Sequence, residues 1–362
     1  MPIKFTPHYI INNNIANALL RIEAAKQRAI TLPMTPLILA SLRETARLYT
    51  THYSTMIEGN RLSMNEITRV LKYDGHFPGR EREEDEVKGY YAAIEMIEQH
   101  AARGDVITEK TIQMIHAYVM AGGRVKVKPT PYRDGQNVIR DVISGGLIYM
   151  PPEAHDVPEL MASMTDWIAN NHDIPTLIIA AIAHYQFATI HPYYDGNGRS
   201  ARLLTNLVLH LGGYGLKGIY SLEEYYARDL NAYYEAISVG PSHNYYMGRA
   251  EADITGWVEY FIVGMADAFE KVLRKMDMES GKKDYSGHLR FLDIKQRKVL
   301  ELFGSYGYIT SAQVGELFGF KSRSSAMICK KWLDDGFLEV VDPSNKGRKY
   351  KLAKKYEDLI GT

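Results

Sequence analysis

A chain of 362 residues is too long for one small core, so two or three packed units are expected. Hydrophobic residues at 46% and charged residues at 24% are ordinary for a globular protein, and a net charge of zero excludes a global field toward nucleic acid or membrane. The one cysteine, Cys329, excludes an intrachain disulfide and points to a reducing compartment.

The opening stretch, MPIKFTPHYIINNN, carries no apolar leader segment. Helical periodicity then dominates from about residue 13 to residue 275. Thr35-Pro36 reads as an N-cap followed by proline at the first helical position, opening a helix over 37–57 that Gly59 stops. Ser63 and Glu66 are spaced as a capping box and start the next helix, which carries Ile67, Val70 and Leu71 on one side. Further helices are predicted over 84–101, 108–121, 157–170, 176–189, 200–211, 222–239 and 252–275. Between residues 123 and 152 glycines and prolines surround short β-type runs, 137–143 and 147–149, which read as a hairpin inserted into a helical bundle. The longest apolar run, 177–183, is far short of the roughly 20 residues that span a bilayer, so a soluble cytoplasmic protein without a membrane partner is expected.

Residues 276–288 are polar and read as a linker. Beyond it, helices over 291–303, 311–318 and 324–334 precede strands over 337–341 and 349–352 around a turn at 342–347, the order of a winged helix-turn-helix. The divisions are therefore an N-terminal helical region (1–95), a core (96–275), the linker, and a C-terminal unit (289–362).

The most informative segment is His191-Pro192-Tyr193-Tyr194-Asp195-Gly196-Asn197-Gly198-Arg199-Ser200-Ala201-Arg202, set between two strongly apolar helices. Gly196 and Gly198 let the backbone approach a ligand, and Gly196-Asn197-Gly198 at a helix N-terminus forms an anion site. Arg199 and Arg202, three apart, share one helix face from which both reach phosphate oxygens. Asp195 suits Mg²⁺, which is held by one or two carboxylates plus substrate phosphates. His191 is able to take a proton from a hydroxyl at pH 7.

This string resembles the signature of Fic-domain proteins, His-x-Phe-x-Asp/Glu-Gly-Asn-Gly-Arg-x-x-Arg, with every fixed position matched except the Phe, here Tyr193. A tyrosine there needs a partner for its hydroxyl. The resemblance implies a mainly α fold, a Fic-type helical bundle with a small β-hairpin flap. It implies transfer of AMP from Mg-ATP to a Ser, Thr or Tyr hydroxyl of a target protein, the chain itself being one candidate target. By position, His191 would be the base and Asp195 would hold Mg²⁺. Gly196, Asn197 and Gly198 would form the anion hole, Arg199 would lie on the phosphates, and Arg202 near the γ-phosphate. Gly146, Leu147, Ile148 and Tyr149 would belong to the flap, on which a target segment adds as a strand. Tyr233 and Tyr234 would line the adenine pocket.

A second family pattern, Ser/Thr-x-x-x-Glu-Gly/Asn, is matched by Ser54 to Gly59. It implies an inhibitory helix whose Glu58 pairs, bidentately, with Arg202 and denies that arginine to the γ-phosphate. Two alternatives stand beside this reading. One runs the same site with another nucleotide or toward removal of AMP; the other is a DNA-binding regulator whose Fic domain senses nucleotide. From residue 290 onward 14 Lys and Arg face nine Asp and Glu, with Lys321, Arg323, Lys330 and Lys331 on or beside the recognition helix and Lys346, Arg348 and Lys349 on the wing. That footprint suits DNA phosphates. A homodimer is left open.

Overall fold

A computed structural model describes residues 5–32, 36–73, 75–124, 126–140, 145–171, 173–240, 242–280, 292–303, 306–342 and 348–357. The chain divides into two compact units, Met1–Glu279 and Ser280–Thr362. In the first, helices α1 (Asn13–Thr31), α2 (Pro36–Ile57), α3 (Met64–Lys72), α4 (Glu81–Arg103) and α5 (Glu109–Val119) precede a hairpin of β1 (Ile139–Arg140) and β2 (Leu147–Tyr149). Helices α6 (Val157–Asn170), α7 (Thr176–Ile190), α8 (Asn197–Leu211), α9 (Glu223–Arg228), α10 (Leu230–Ile237) and α11 (Thr255–Ser280) complete it.

The core is organised around α7 and α8, which pack on each other, with α4 and α5 against α8 and α6 against α7. α7 is apolar on all sides, and only Thr176 and Ala188 among its residues are not buried. A helix without a polar face has to be central. Each fully buried Leu or Ile contributes about 1.5–3 kcal/mol, so this pair can hold a strained connecting loop.

Local signals place several elements as expected. Ser63 and Glu66 form the capping box of α3, and α6 spans Val157–Asn170. Gly59 takes φ +92° just after α2. Other expectations need correction. α8 begins at Asn197 rather than Ser200, because the Ser200 N–H already closes the first turn on the carbonyl of the N-cap Gly196 at 3.0 Å. The helix expected over 222–239 is two, broken at Asp229, whose side chain caps the second by accepting the Ala232 N–H at 3.0 Å. α11 runs on through Ser280, with Met276 fully buried, so the linker's first residues are helical; 281–288 lie outside the described residues. Of the β-run 137–143 only Ile139–Arg140 is strand, and 141–143 lie outside the described residues. Thr35, the expected cap of α2, lies outside them as well.

In the second unit, helices Ile294–Phe303, Ser311–Phe318 and Ser322–Asp334 surround a core that includes Trp332, Phe337 and Cys329. Its sheet has the antiparallel order β3 (Ile309–Thr310), β5 (Lys349–Leu352), β4 (Leu338–Asp342). The short β3 was not foreseen. The first of these helices starts at Ile294, where Asp293 and Gln296 cap each other reciprocally at 2.8 Å. The turn residues 343–347, Lys346 among them, lie outside the described residues. Burial of Cys329 pushes its thiol up to about 11, so it behaves as a small apolar side chain.

Candidate active site

α7 ends by delivering His191 in the left-handed conformation, φ 53° and ψ 59°, its N–H still bonded to the Phe187 carbonyl. That conformation costs an L-residue about 1–2 kcal/mol. It is held by Arg133, whose Nε donates to the His191 carbonyl at 3.0 Å. His191 Nδ1 lies 3.3 Å from the Ala188 carbonyl, which assigns the proton to Nδ1 and the lone pair to Nε2. Burial pushes the imidazole down to about 4, so it is neutral at pH 7.

The turn that follows is tied internally. Asn197 accepts the Tyr193 N–H (3.0 Å) and donates to the Tyr193 carbonyl (2.7 Å). Its side chain is therefore a structural staple, and only its backbone is left for an anion. Tyr193 stacks on His116 with ring centroids 3.6 Å apart, and its buried hydroxyl has no partner among the described residues. The expectation of a partner is not met. His116 Nε2 in turn lies 2.9 Å from the Asp195 carbonyl, and burial lowers this ring to about 4.

Gly196 has φ +75°, and a Cβ there would sit 2.9 Å from Met120 Sδ and 3.3 Å from His116 Nε2. Asp195 Oδ1 accepts the Gly196 N–H (2.6 Å) and Arg199 Nη2 (3.2 Å), while Oδ2 faces Arg82 Nη2 at 3.6 Å. Arg82 is an exposed side chain on α4, so Oδ2 is the accessible corner of the carboxylate.

Arg199 and Arg202 are both buried, and they do not serve one surface together. Arg199 is spent on Asp195. Arg202 donates from Nε to Ser54 Oγ (2.7 Å) and from Nη2 to the Ser54 carbonyl (2.9 Å) and Glu58 Oε1 (2.7 Å). The Glu58 contact is thus monodentate, a correction to the expected fork. Burial opposes the Arg202 charge, but Glu58 together with Tyr233 and Tyr90 outweighs it and the guanidinium is held firmly cationic. Nη1 makes no well-formed hydrogen bond among the described residues, although the Tyr233 hydroxyl lies near the guanidinium.

A Cβ on Gly198 would fall 2.1 Å from Glu58 Oε1 and 3.2 Å from Arg202 Nη1. The Glu58 carboxylate therefore lies over the first turn of α8, against the backbone that the glycine leaves open.

Tyr233 is turned into the core, its hydroxyl 3.0 Å from His184 Nε2 and its ring stacked on Tyr226. It does not line an open pocket as expected. Tyr234 is about half exposed and donates to the Ile57 carbonyl (3.2 Å), beside Glu58. In the hairpin, Leu147 and Ile148 are exposed, while Tyr149 is buried with its hydroxyl on the Thr189 carbonyl (2.9 Å). His243 Nδ1 already takes the Ile148 carbonyl (2.7 Å).

Sequence reasoning missed Arg133, His116 and Glu223. Glu223 is a buried carboxylate that accepts from Asn206 Nδ2 (2.9 Å) and Tyr90 (3.3 Å), and Tyr90 is also bonded to Ser54. Burial raises its pKa, with the nearby Arg202 opposing. No spacing in the chain signals these three; the only hint for Arg133 is its place just before the hairpin.

The profile of the Fic/DOC family matches residues 106–209. Protein adenylyltransferase fic-1 of Caenorhabditis elegans is 33% identical over 196 residues, 51% of this chain and 36% of that protein. Protein adenylyltransferase Fic of Nematostella vectensis is 26% identical over 198 residues, 54% of this chain and 44% of that protein. The chain thus spans well under half the length of these curated relatives. A Fic family protein from Desulfovibrio desulfuricans G20 superposes with a TM-score of 0.64 at 25% identity, covering 97% of this chain and 99% of that one. Fic-1 of C. elegans, 21% identical with a TM-score of 0.58 over 73% of each chain, shares the fold. With the family profile ending on α8, just past the twelve-residue turn, residues 106–209 of this chain form a Fic domain.

Proposed function

We propose that this protein transfers AMP from ATP to a hydroxyl of a target protein and that Glu58 restrains it. The observation that carries the reading is the Glu58 carboxylate itself, an anion bound 2.7 Å from a buried arginine and lying against Gly198 at a helix start. A site that holds one anion there is built to hold another. The relatives named protein adenylyltransferase support the reaction class.

In this reading the target hydroxyl attacks the α-phosphorus, its proton passes to His191 Nε2, and the bond to the β-phosphate oxygen breaks to release pyrophosphate. The tautomer set by Ala188 leaves Nε2 as acceptor, and a ring that is neutral at pH 7 is always ready. The Gly196–Gly198 backbone would cradle the phosphates. Arg202, once freed from Glu58, would offer Nη1 and Nη2 to the terminal phosphate. Asp195 Oδ2 would hold Mg²⁺ together with substrate phosphates, and the ion when bound supplies charge neutralisation. Among the described residues no cluster of three metal-type side chains occurs, which fits an ion completed by its substrate.

The C-terminal unit fits the winged helix-turn-helix reading, and the exposed Arg323, Lys330 and Lys331 on helix Ser322–Asp334 support contact with nucleic-acid phosphates. Among the described residues no helix is long and apolar enough to cross a membrane.

Incubation of the Glu58→Gly protein with α- or γ-labelled ATP tests the function. Label is expected on protein from the α position only. His191→Ala should reduce it by at least about 100-fold without weakening ATP binding. Label from the γ position alone, or labelling that survives His191→Ala, refutes AMP transfer through this base.

A further inference from the structure

Arg133 lies outside the signature, in the segment leading into the β1–β2 hairpin, yet it is only 4% exposed. Each hydrogen bond its side chain donates goes to an uncharged acceptor. Nε bonds the His191 carbonyl (3.0 Å), Nη1 the Gly135 carbonyl (3.0 Å) and Gln136 Oε1 (3.2 Å), and Nη2 the Pro152 carbonyl. Its own backbone N–H bonds the Pro192 carbonyl at 2.9 Å. Gln136 extends the set to the Pro151 carbonyl at 3.1 Å.

One planar group therefore joins three stretches of chain: the entry to the hairpin, its exit at Pro151-Pro152, and the start of the motif at His191-Pro192. A buried cation satisfied by neutral carbonyls is an expensive way to gain stability, because desolvation of the charge is not offset by a counter-ion. What five fixed donors provide is geometry. Together with the Arg133 backbone N–H on Pro192, they hold two consecutive motif carbonyls, one belonging to a residue in the left-handed region, at a set distance from the hairpin. Tyr149 reinforces the link by bonding the Thr189 carbonyl two residues before His191.

We propose that Arg133 is a positioning residue that fixes the His191 imidazole relative to the Leu147–Tyr149 strand, so that a hydroxyl presented along that strand meets the base in register. The proposal rests on the reading of His191 as the base. The chemistry tolerates little displacement, since a misplacement of about 1 Å can cost about 100-fold in rate.

The test uses the full chain with Glu58→Gly, alone and with Arg133→Lys or Arg133→Met. Both Arg133 variants should lower kcat for AMP transfer by about 30-fold or more, leaving KM for ATP and the calorimetric Kd for ATP within about twofold. Lysine keeps the charge but can serve only one of the three segments, so it should not rescue. A folded Arg133→Lys protein with kcat within about threefold of its parent would overturn the proposal, as would a loss of ATP affinity parallel to the loss of rate. Should Arg133→Met fail to fold, the lysine variant decides. If the parent itself transfers no AMP, the functional reading fails, and the ¹³C-labelled His191 ring still judges Arg133. Its resonance at pH 7.5 should shift and broaden in Arg133→Lys, and an unchanged resonance refutes positioning.

Discussion

Replacing Glu58 with glycine tests both the fold of the site and its restraint. The contact removed is one charge-assisted hydrogen bond of 2.7 Å between a guanidinium side chain that is 1% exposed and a carboxylate side chain that is 33% exposed. Hydrogen bonds to charged groups contribute about 1.5–3 kcal/mol, and water at the exposed partner favours the lower half of that range. Release of about 1.5–2 kcal/mol should strengthen binding of Mg-ATP by about 10- to 30-fold. Clearing the carboxylate from the Gly198 backbone adds to this, so the figure is a lower bound. Arg202 keeps both Ser54 bonds and the neighbouring Glu223. The unliganded variant should therefore lose only about 1–2 kcal/mol of stability, not the ~3–5 kcal/mol of an abandoned buried cation. Glu58→Gln, which keeps an acceptor without the charge, should fall between. Titration calorimetry with Mg-ATP gives the affinity, initial rates of α-label incorporation give the activity, and urea unfolding gives the stability. An affinity within twofold of the unaltered protein together with unchanged labelling would refute the restraint.

Two further outcomes follow from burial. Tyr193→Phe removes a hydroxyl that has no partner among the described residues, while the ring keeps its stacking on His116. The variant should be more stable by about 1 kcal/mol, read as a rise in urea midpoint at unchanged m value; a destabilisation of similar size would show that the hydroxyl is satisfied. Burial lowers His184 to about 3 and His116 to about 4. The unfolded imidazoles bind protons near pH 6.5 and the folded ones do not, so the unfolded state binds more protons between about pH 4 and 6.5. Their stabilisation is complete above about pH 6.5 and is lost as pH falls through that window. Urea midpoints at pH 7.5, 6.0 and 5.0 should decline, and His184→Gln should show the shallower slope; a slope unaffected by that substitution would contradict the assignment.

Much of the fold could be read from neighbouring residues. Ser63 with Glu66, Gly59 after α2 and the apolar run that became α7 are short-range patterns, and a capping box or an all-apolar helix leaves few alternatives. Asp229 was also readable, as an N-cap within a helical stretch, and periodicity alone had smoothed over it. Of the site, the turn and its glycines were legible because φ and close approach are local demands. Tyr233 misled because neighbouring aromatic residues look alike until the core claims one and leaves the other beside Glu58.

The sequence by itself determined a helical chain with a glycine-lined turn at a helix start, a histidine before it, two arginines within it and a distant glutamate at the end of another helix. Tertiary structure alone decided which groups meet. Glu58 reaches Arg202 across 144 positions through one carboxylate oxygen, and Arg199 is consumed by its own Asp195. Arg133 grips His191 from 58 residues away. The physical reason is range. Backbone conformation and capping depend on a few neighbours, whereas the pairing of a buried charge is chosen by whichever distant donor or acceptor the packed core brings within about 3 Å.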